Sequence, residues 1–231
     1  MLGLGSSRAN YRWNPTGVGA SLKLWLRNGV GATVASWEDS SDNGNNAGQT
    51  NTDHQAALSK GGLAFSVSED DHYDLEDIVI GAEEGFSIFI VCIFDSYTNQ
   101  NSILGTQNDN IFLEFQTNRK IRFKTSAGTD SIEYPVGTFA TGGNGNVFCI
   151  QRESGGTGNI NLFKNSADVT PTSQKANSGP VTFNRLAARD GTSLDRTFHG
   201  TILELLCYDT LDLTGSEILK INDYLKNKHG I

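Results

Sequence analysis

Residues 86–95, FSIFIVCIFD, are apolar on both faces. A strand with one wet face alternates apolar and polar residues. An amphipathic helix repeats its apolar residues about every three to four positions. This run does neither, so it reads as a strand buried on both sides, in the middle of a layered structure.

Shorter strand-like runs surround it, at 22–26, 33–37, 62–67, 102–106, 111–116, 119–125, 131–134, 146–152, 159–164, 181–188 and 199–208. Turn chemistry separates them. Thr117 and Asn118 stand between two alternating runs, and GGNG at 142–145 and GGTG at 155–158 mark sharp reversals. Glycine adopts positive φ there at little cost. The pattern changes only at the C-terminus. Thr214 and Glu217 have the spacing of a capping box, and Ile218, Ile221 and Leu225 then share one helical face. Lys226 and Lys228 suit the negative end of that helix, and Gly230 its C-cap. The fold class expected is all-β: a two-sheet antiparallel jelly-roll sandwich with one C-terminal α-helix packed on a sheet edge or on the base of the arm. The sandwich domain spans 21–231, and residues 1–20 form an extended N-terminal arm ending in a turn at Asn14 to Gly17.

The net charge of −8 disfavours a nucleic-acid partner, whose phosphates need a basic surface. Lys120, Arg122 and Lys124 alternate with Ile121 and Phe123, as on the wet face of a strand. No apolar run approaches the roughly 20 residues that span a bilayer, so no membrane insertion is expected. The opening Met-Leu-Gly-Leu-Gly has neither the basic start nor the apolar core of a secretory signal. Cys92, Cys149 and Cys207 each sit inside an apolar run, which predicts buried free thiols.

Several pieces carry a family resemblance. They are Leu24 with Trp25; Trp37, Glu38, Asp39 with Asn43, Gly44, Asn45, Asn46 and Gln49; FSIFIV at 86–91; Ile103, Leu104, Gly105; FHGTILELLCY at 198–208; and Leu213, Thr214, Tyr224, Leu225. In this order the chain resembles the concanavalin A-like lectin/glucanase superfamily, in its laminin-G-like branch. The resemblance covers about residues 22–231 and implies a jelly roll of two curved sheets. Such domains occur in lectins, glycan hydrolases, adhesion proteins and phage virions. The compact size and the LGLGSS opening are most similar to structural proteins of marine tailed phages, an analogy of fold and not of site.

The candidate sites are weighed as follows. Trp13 stands outside any strand beside Tyr11 and Arg12, and aromatic residues with arginine mark interfaces. With Leu2 and Leu4 they form the expected anchor on a neighbouring subunit. Trp25 and Trp37 are expected in the core, each burying roughly 150–250 Å². Asp39, Ser41, Asp42, Asn43 and Asn45 form a loop rich in oxygen ligands, a candidate for glycan or calcium. Counted from Asp39, however, the twelfth position is Thr50, where a calcium loop needs a bidentate glutamate. The competing reading is an Asx-rich turn that caps its own backbone. Asp190 and Asp195 form a second such loop. No confident metal site and no cofactor follow. His54, His72, His199 and His229 lack metal-ligand spacing. The acidic run Glu69 to Asp74 reads as a solvated loop, and the carboxylate pattern that hydrolases of the superfamily place on one strand is missing.

The function expected is a non-catalytic structural component of a bacteriophage virion: a capsid decoration, neck or fibre protein. The arm would contact other virion proteins within a homo-oligomer or symmetric assembly. The alternative is a glycan-binding module contacting host surface polysaccharide; a glycoside hydrolase comes third.

Overall fold

The computed structural model describes residues 13–18, 21–96, 101–107, 111–143, 145–156, 158–175, 177–189, 196–209 and 213–231. Sixteen strands lie among the described residues. The first eight are β1 (Ser21–Leu26), β2 (Ser36–Trp37), β3 (Ala47–Gly48), β4 (Ala57–Ser59), β5 (Gly62–Phe65), β6 (Tyr73–Ile80), β7 (Phe86–Phe94) and β8 (Asn101–Gly105). Then come β9 (Phe112–Thr117), β10 (Lys120–Thr125), β11 (Gly128–Glu133), β12 (Asn146–Arg152), β13 (Ile160–Lys164), β14 (Ala167–Asp168), β15 (Val181–Leu186) and β16 (Gly200–Asp209). Helix α1 (Gly215–His229) follows them.

Two antiparallel sheets result. One runs β14-β13-β12-β7-β16-β5-β4, the other β11-β10-β9-β8-β15-β6-β3-β2. β16 is shared at one edge: its Gly200–Ile202 half pairs with β5, and its Leu205–Asp209 half pairs with β1. This is an all-β sandwich with a C-terminal helix, as the strand pattern predicts.

β7 sits in the middle, as its composition requires. Phe86, Ile88, Ile90, Cys92 and Phe94 face the second sheet, and Phe89, Val91 and Ile93 face α1. The helix therefore covers the outer face of the first sheet, not its edge. The reason is that Phe89, Val91, Val147, Leu206 and Tyr208 make that outer face apolar. Ile218, Ile221 and Leu225 close over it, contributing about 1.5–3 kcal/mol each. The helix also reaches the base of the arm through Trp13. Its capping box forms as expected: Thr214 N–H donates to Glu217 Oε2 at 2.8 Å and Glu217 N–H to Thr214 Oγ1 at 3.4 Å. Gly230 ends it at φ 68°, where a Cβ would be strained.

The acidic run 69–74 departs from the solvated loop expected of it. Asp71, His72 and Tyr73 are buried, and Tyr73 and Asp74 begin the eight-residue strand β6. Asp71 turns inward because its Oδ2 accepts from Ser66 N–H at 2.8 Å. Cys92, Cys149 and Cys207 are free and buried, and burial pushes all three thiols up, Cys207 to about 12.

Candidate ligand-binding cleft

The cleft is built around a buried carboxylate in an otherwise apolar strand. The pairing of β16 with β7 slips between Ile202 and Glu204. Ile202 and Leu205 point into the core between the sheets, whereas Leu203 joins the layer under α1. The bulge thus turns two successive residues, Leu203 and Glu204, toward the helix. Glu204 is wholly buried. Its Oε1 accepts from the indole Nε1–H of Trp25 at 2.8 Å, and its Oε2 lies 2.7 Å from Lys228 Nζ and 2.8 Å from His229 Nε2. Burial alone would push the carboxyl up. The bond from His229, the charge and bond of Lys228 and the bond from Trp25 outweigh it and hold the group below its usual range. One carboxylate therefore orients a tryptophan of β1 and the last turn of α1.

Above this floor stand three aromatic rings. The turn Pro15–Gly17 is fixed at one end by Asn14, whose Oδ1 accepts from Thr16 N–H at 2.8 Å. The Tyr208 hydroxyl donates to Pro15 O at 3.1 Å and ties the turn to the sheet. Trp13 is thereby held edge-to-face against Tyr224 of α1, at 5.8 Å between centroids and 65° between planes. Trp25 meets the same Tyr224 at 6.4 Å and 71°. Trp25 is buried, while Trp13 and Tyr224 are half-buried. The Arg27 guanidinium lies 5.0 Å over the Trp25 ring and shares the cleft wall with Tyr224. Burial, then the charge of Glu204, raises the Tyr224 phenol, so its hydroxyl stays protonated near neutral pH. These residues, with Asn14, Lys220, Asp223, Asn227 and Lys228, line a cleft of about 740 Å³. An apolar concavity rimmed by a few convergent polar groups is the usual form of a small-molecule site.

The residues expected from the sequence fall differently. Leu2, Leu4, Tyr11, Arg12, Asp190 and Asp195 lie outside the described residues. Trp13 packs on its own chain's helix. Trp25 and Trp37 are buried as expected, Trp37 between the sheets and Trp25 beneath the helix. The loop after β2 is an Asx-rich staple. Asp39 Oδ1 accepts from the N–H of Trp25 at 2.8 Å and of Ser41 at 2.9 Å. Its Oδ2 accepts from the Ser41 hydroxyl at 2.7 Å and Asn45 N–H at 3.0 Å. Asn43 and Asn45 donate to Leu22 O and Lys23 O, both at 2.7 Å, which binds the loop to β1. Asp42 is exposed, at φ 70°. No group of three or more His, Cys, Asp or Glu able to hold a metal occurs among the described residues. Nor, among them, is any helix long and apolar enough to cross a membrane.

Sequence reasoning missed Arg27, Glu204 and Tyr224 as one constellation. The lone glutamate in ILELLCY was the available signal, since a carboxylate in a buried strand needs partners.

No protein family model matches the chain, and no curated protein matches it. Solved structures do match its fold. A sialidase of Trypanosoma rangeli, in complex with a difluoro nononic acid, gives a TM-score of 0.61 at 14% identity, over 90% of this chain and 33% of that one. Domain 4 of AbnA, a GH43 extracellular arabinanase from Geobacillus stearothermophilus in complex with arabinotriose, gives 0.54 at 15% identity, over 88% of this chain and 98% of that one. The binding domain of Paraclostridial Mosquitocidal Protein 1 gives 0.51 at 11% identity, over 90% of this chain and 53% of that one. The chain thus spans about a third of the sialidase it matches. It carries the two-sheet β-sandwich fold of these structures. At these identities the likeness is one of fold alone.

Proposed function

We propose that this chain is a non-catalytic carbohydrate-binding module whose ligand lies in the cleft between the Pro15–Gly17 turn and α1. The observation that carries this reading is the aromatic wall of Trp13 and Tyr224, half-buried and edged by Asn14, Asp223 and Asn227. A sugar ring offers apolar C–H faces and a rim of hydroxyls. Rigid aromatic rings accept the faces, and amide and carboxylate side chains bond the hydroxyls. The fold match to domain 4 of the arabinanase, a structure holding arabinotriose, supports the same reading. The acidic run that a hydrolase reading would use is divided between a buried Asp71, turned onto the Ser66 backbone, and exposed Glu69.

The test is a glycan array, with and without calcium, followed by calorimetry on the hits. Binding that falls at least roughly tenfold in both Trp13→Ala and Tyr224→Ala, with the fold retained, supports the module. An array without hits sinks it.

The virion role expected from the sequence stands as a separate and compatible proposal. It rests on the arm, and deleting residues 1–12 tests it: normal incorporation of the truncated protein into particles argues against it.

A further inference from the structure

We propose that the saccharide taken by the aromatic cleft carries a carboxylate, and that Arg27 reads it. This rests on the carbohydrate-binding reading and adds the chemical class of the ligand.

Arg27 differs from Arg122, Arg152, Arg185 and Arg189. Arg122, Arg185 and Arg189 each face a carboxylate, Glu114, Asp74 and Glu114 respectively. Arg152 is buried among the backbone carbonyls of Gly81, Glu84 and Gly179. Arg27 has no carboxylate within ion-pair distance among the described residues, yet its guanidinium is not loose. It lies over the Trp25 ring at 5.0 Å, in the wall that also holds Tyr224. A guanidinium held by its plane on a ring keeps its donor fork available and oriented. That is the arrangement for bidentate recognition of a carboxylate.

The surrounding charge agrees. Glu204 beneath the cleft is matched in charge by Lys228 and lies at hydrogen-bond distance from His229. Asp223 is the one carboxylate among the lining residues, and it is exposed, with Oδ1 accepting from the Ser166 hydroxyl at 3.0 Å. Against it stand Arg27 and Lys220, neither in an ion pair among the described residues, in a chain whose net charge is −8. An acidic protein repels an acidic ligand at long range, so a local excess of cations beside an aromatic wall favours an anion there specifically. Trp13 and Tyr224 receive the ring, and Arg27 fixes which edge of it carries the charge.

The experiment is calorimetry with the full chain and matched oligosaccharide pairs. Probes ending in glucuronate, galacturonate or N-acetylneuraminate are each compared with their carboxyl-reduced analogues. The expected result is tighter binding of at least one acid over its reduced form, by roughly ten- to a hundredfold. Arg27→Ala and Arg27→Gln should erase that preference. Arg27→Lys should recover only part of it, because the charge remains and the fork is lost. The three acids distinguish uronates from sialic acids as the source. Three results overturn the proposal. If acids and reduced analogues bind equally, and Trp13→Ala weakens both, the carboxylate reading fails and the carbohydrate reading survives. If neither acidic nor neutral saccharides bind, both fail together. Circular dichroism and thermal melting of each variant separate loss of recognition from loss of fold; a preference intact in a folded Arg27→Ala also overturns the assignment.

Discussion

The loop at 39–49 and the cleft under α1 contain similar chemistry and differ in what that chemistry faces. The loop holds two aspartates, two serines and three asparagines within eight residues. Its principal carboxylate, Asp39, accepts four hydrogen bonds from its own chain. The cleft has fewer polar residues, but Arg27, Asn227 and Lys220 are exposed beside half-buried rings. The richer loop is a structural staple and the sparser cleft is the candidate site. What separates them is whether hydrogen-bonding capacity is already satisfied within the fold.

The largest expected effect is at the base of the cleft. Glu204→Ala leaves Lys228, His229 and the Trp25 indole facing a buried void. It should cost about 3–5 kcal/mol in denaturant unfolding and abolish saccharide binding. An unfolding midpoint like that of the parent would show that the carboxylate does not hold the helix. The pH dependence follows from the same group. Its folded pKa lies below the ordinary 4.5, so its contribution is present above that value and fades as pH falls through the lower folded one. Between pH 7 and 5 the stability difference between parent and Glu204→Gln should stay nearly flat, then narrow on further acidification. A difference that narrows already between pH 7 and 5 contradicts the assignment.

Next in size, Asp39→Ala orphans four donors and should cost about 1–3 kcal/mol while leaving saccharide affinity unchanged. Calcium should not shift the melting temperature of the parent. Lost binding in this variant, or a calcium-dependent rise in melting temperature, would reverse the roles given to the two regions. The smallest stability effect is that of Trp13→Ala, about 1 kcal/mol or less, because the ring is half-exposed. Its effect on binding should nevertheless be among the greatest. A variant with normal affinity would move the site elsewhere.

Legibility in the sequence followed local physics. The central strand, the buried cysteines, the capping box at Thr214 and Glu217 and the C-cap at Gly230 were all readable, because each depends on neighbouring residues. β6 was missed although Tyr73, Leu75, Ile78 and Ile80 are buried. Its exposed face carries Asp74, Glu76 and Asp77, and the acidic run just before it disguised the alternation. β3, β4 and β14, at two or three residues, are too short to show a period.

By itself, the sequence determined that this is a layered β protein with one closing helix, since hydrophobic periodicity and caps act over a few residues. It also identified Trp25 as buried and the 39–49 loop as a self-capping candidate. Only the tertiary structure decided that Trp13, Trp25, Arg27, Glu204 and Tyr224 meet. They are drawn from the arm, β1 and the residue just after it, β16 and α1, and the last two come together through a bulge that one glutamate in an apolar run does not announce. Strand pairing over long sequence separations, and not any local pattern, sets which side chains share that cleft.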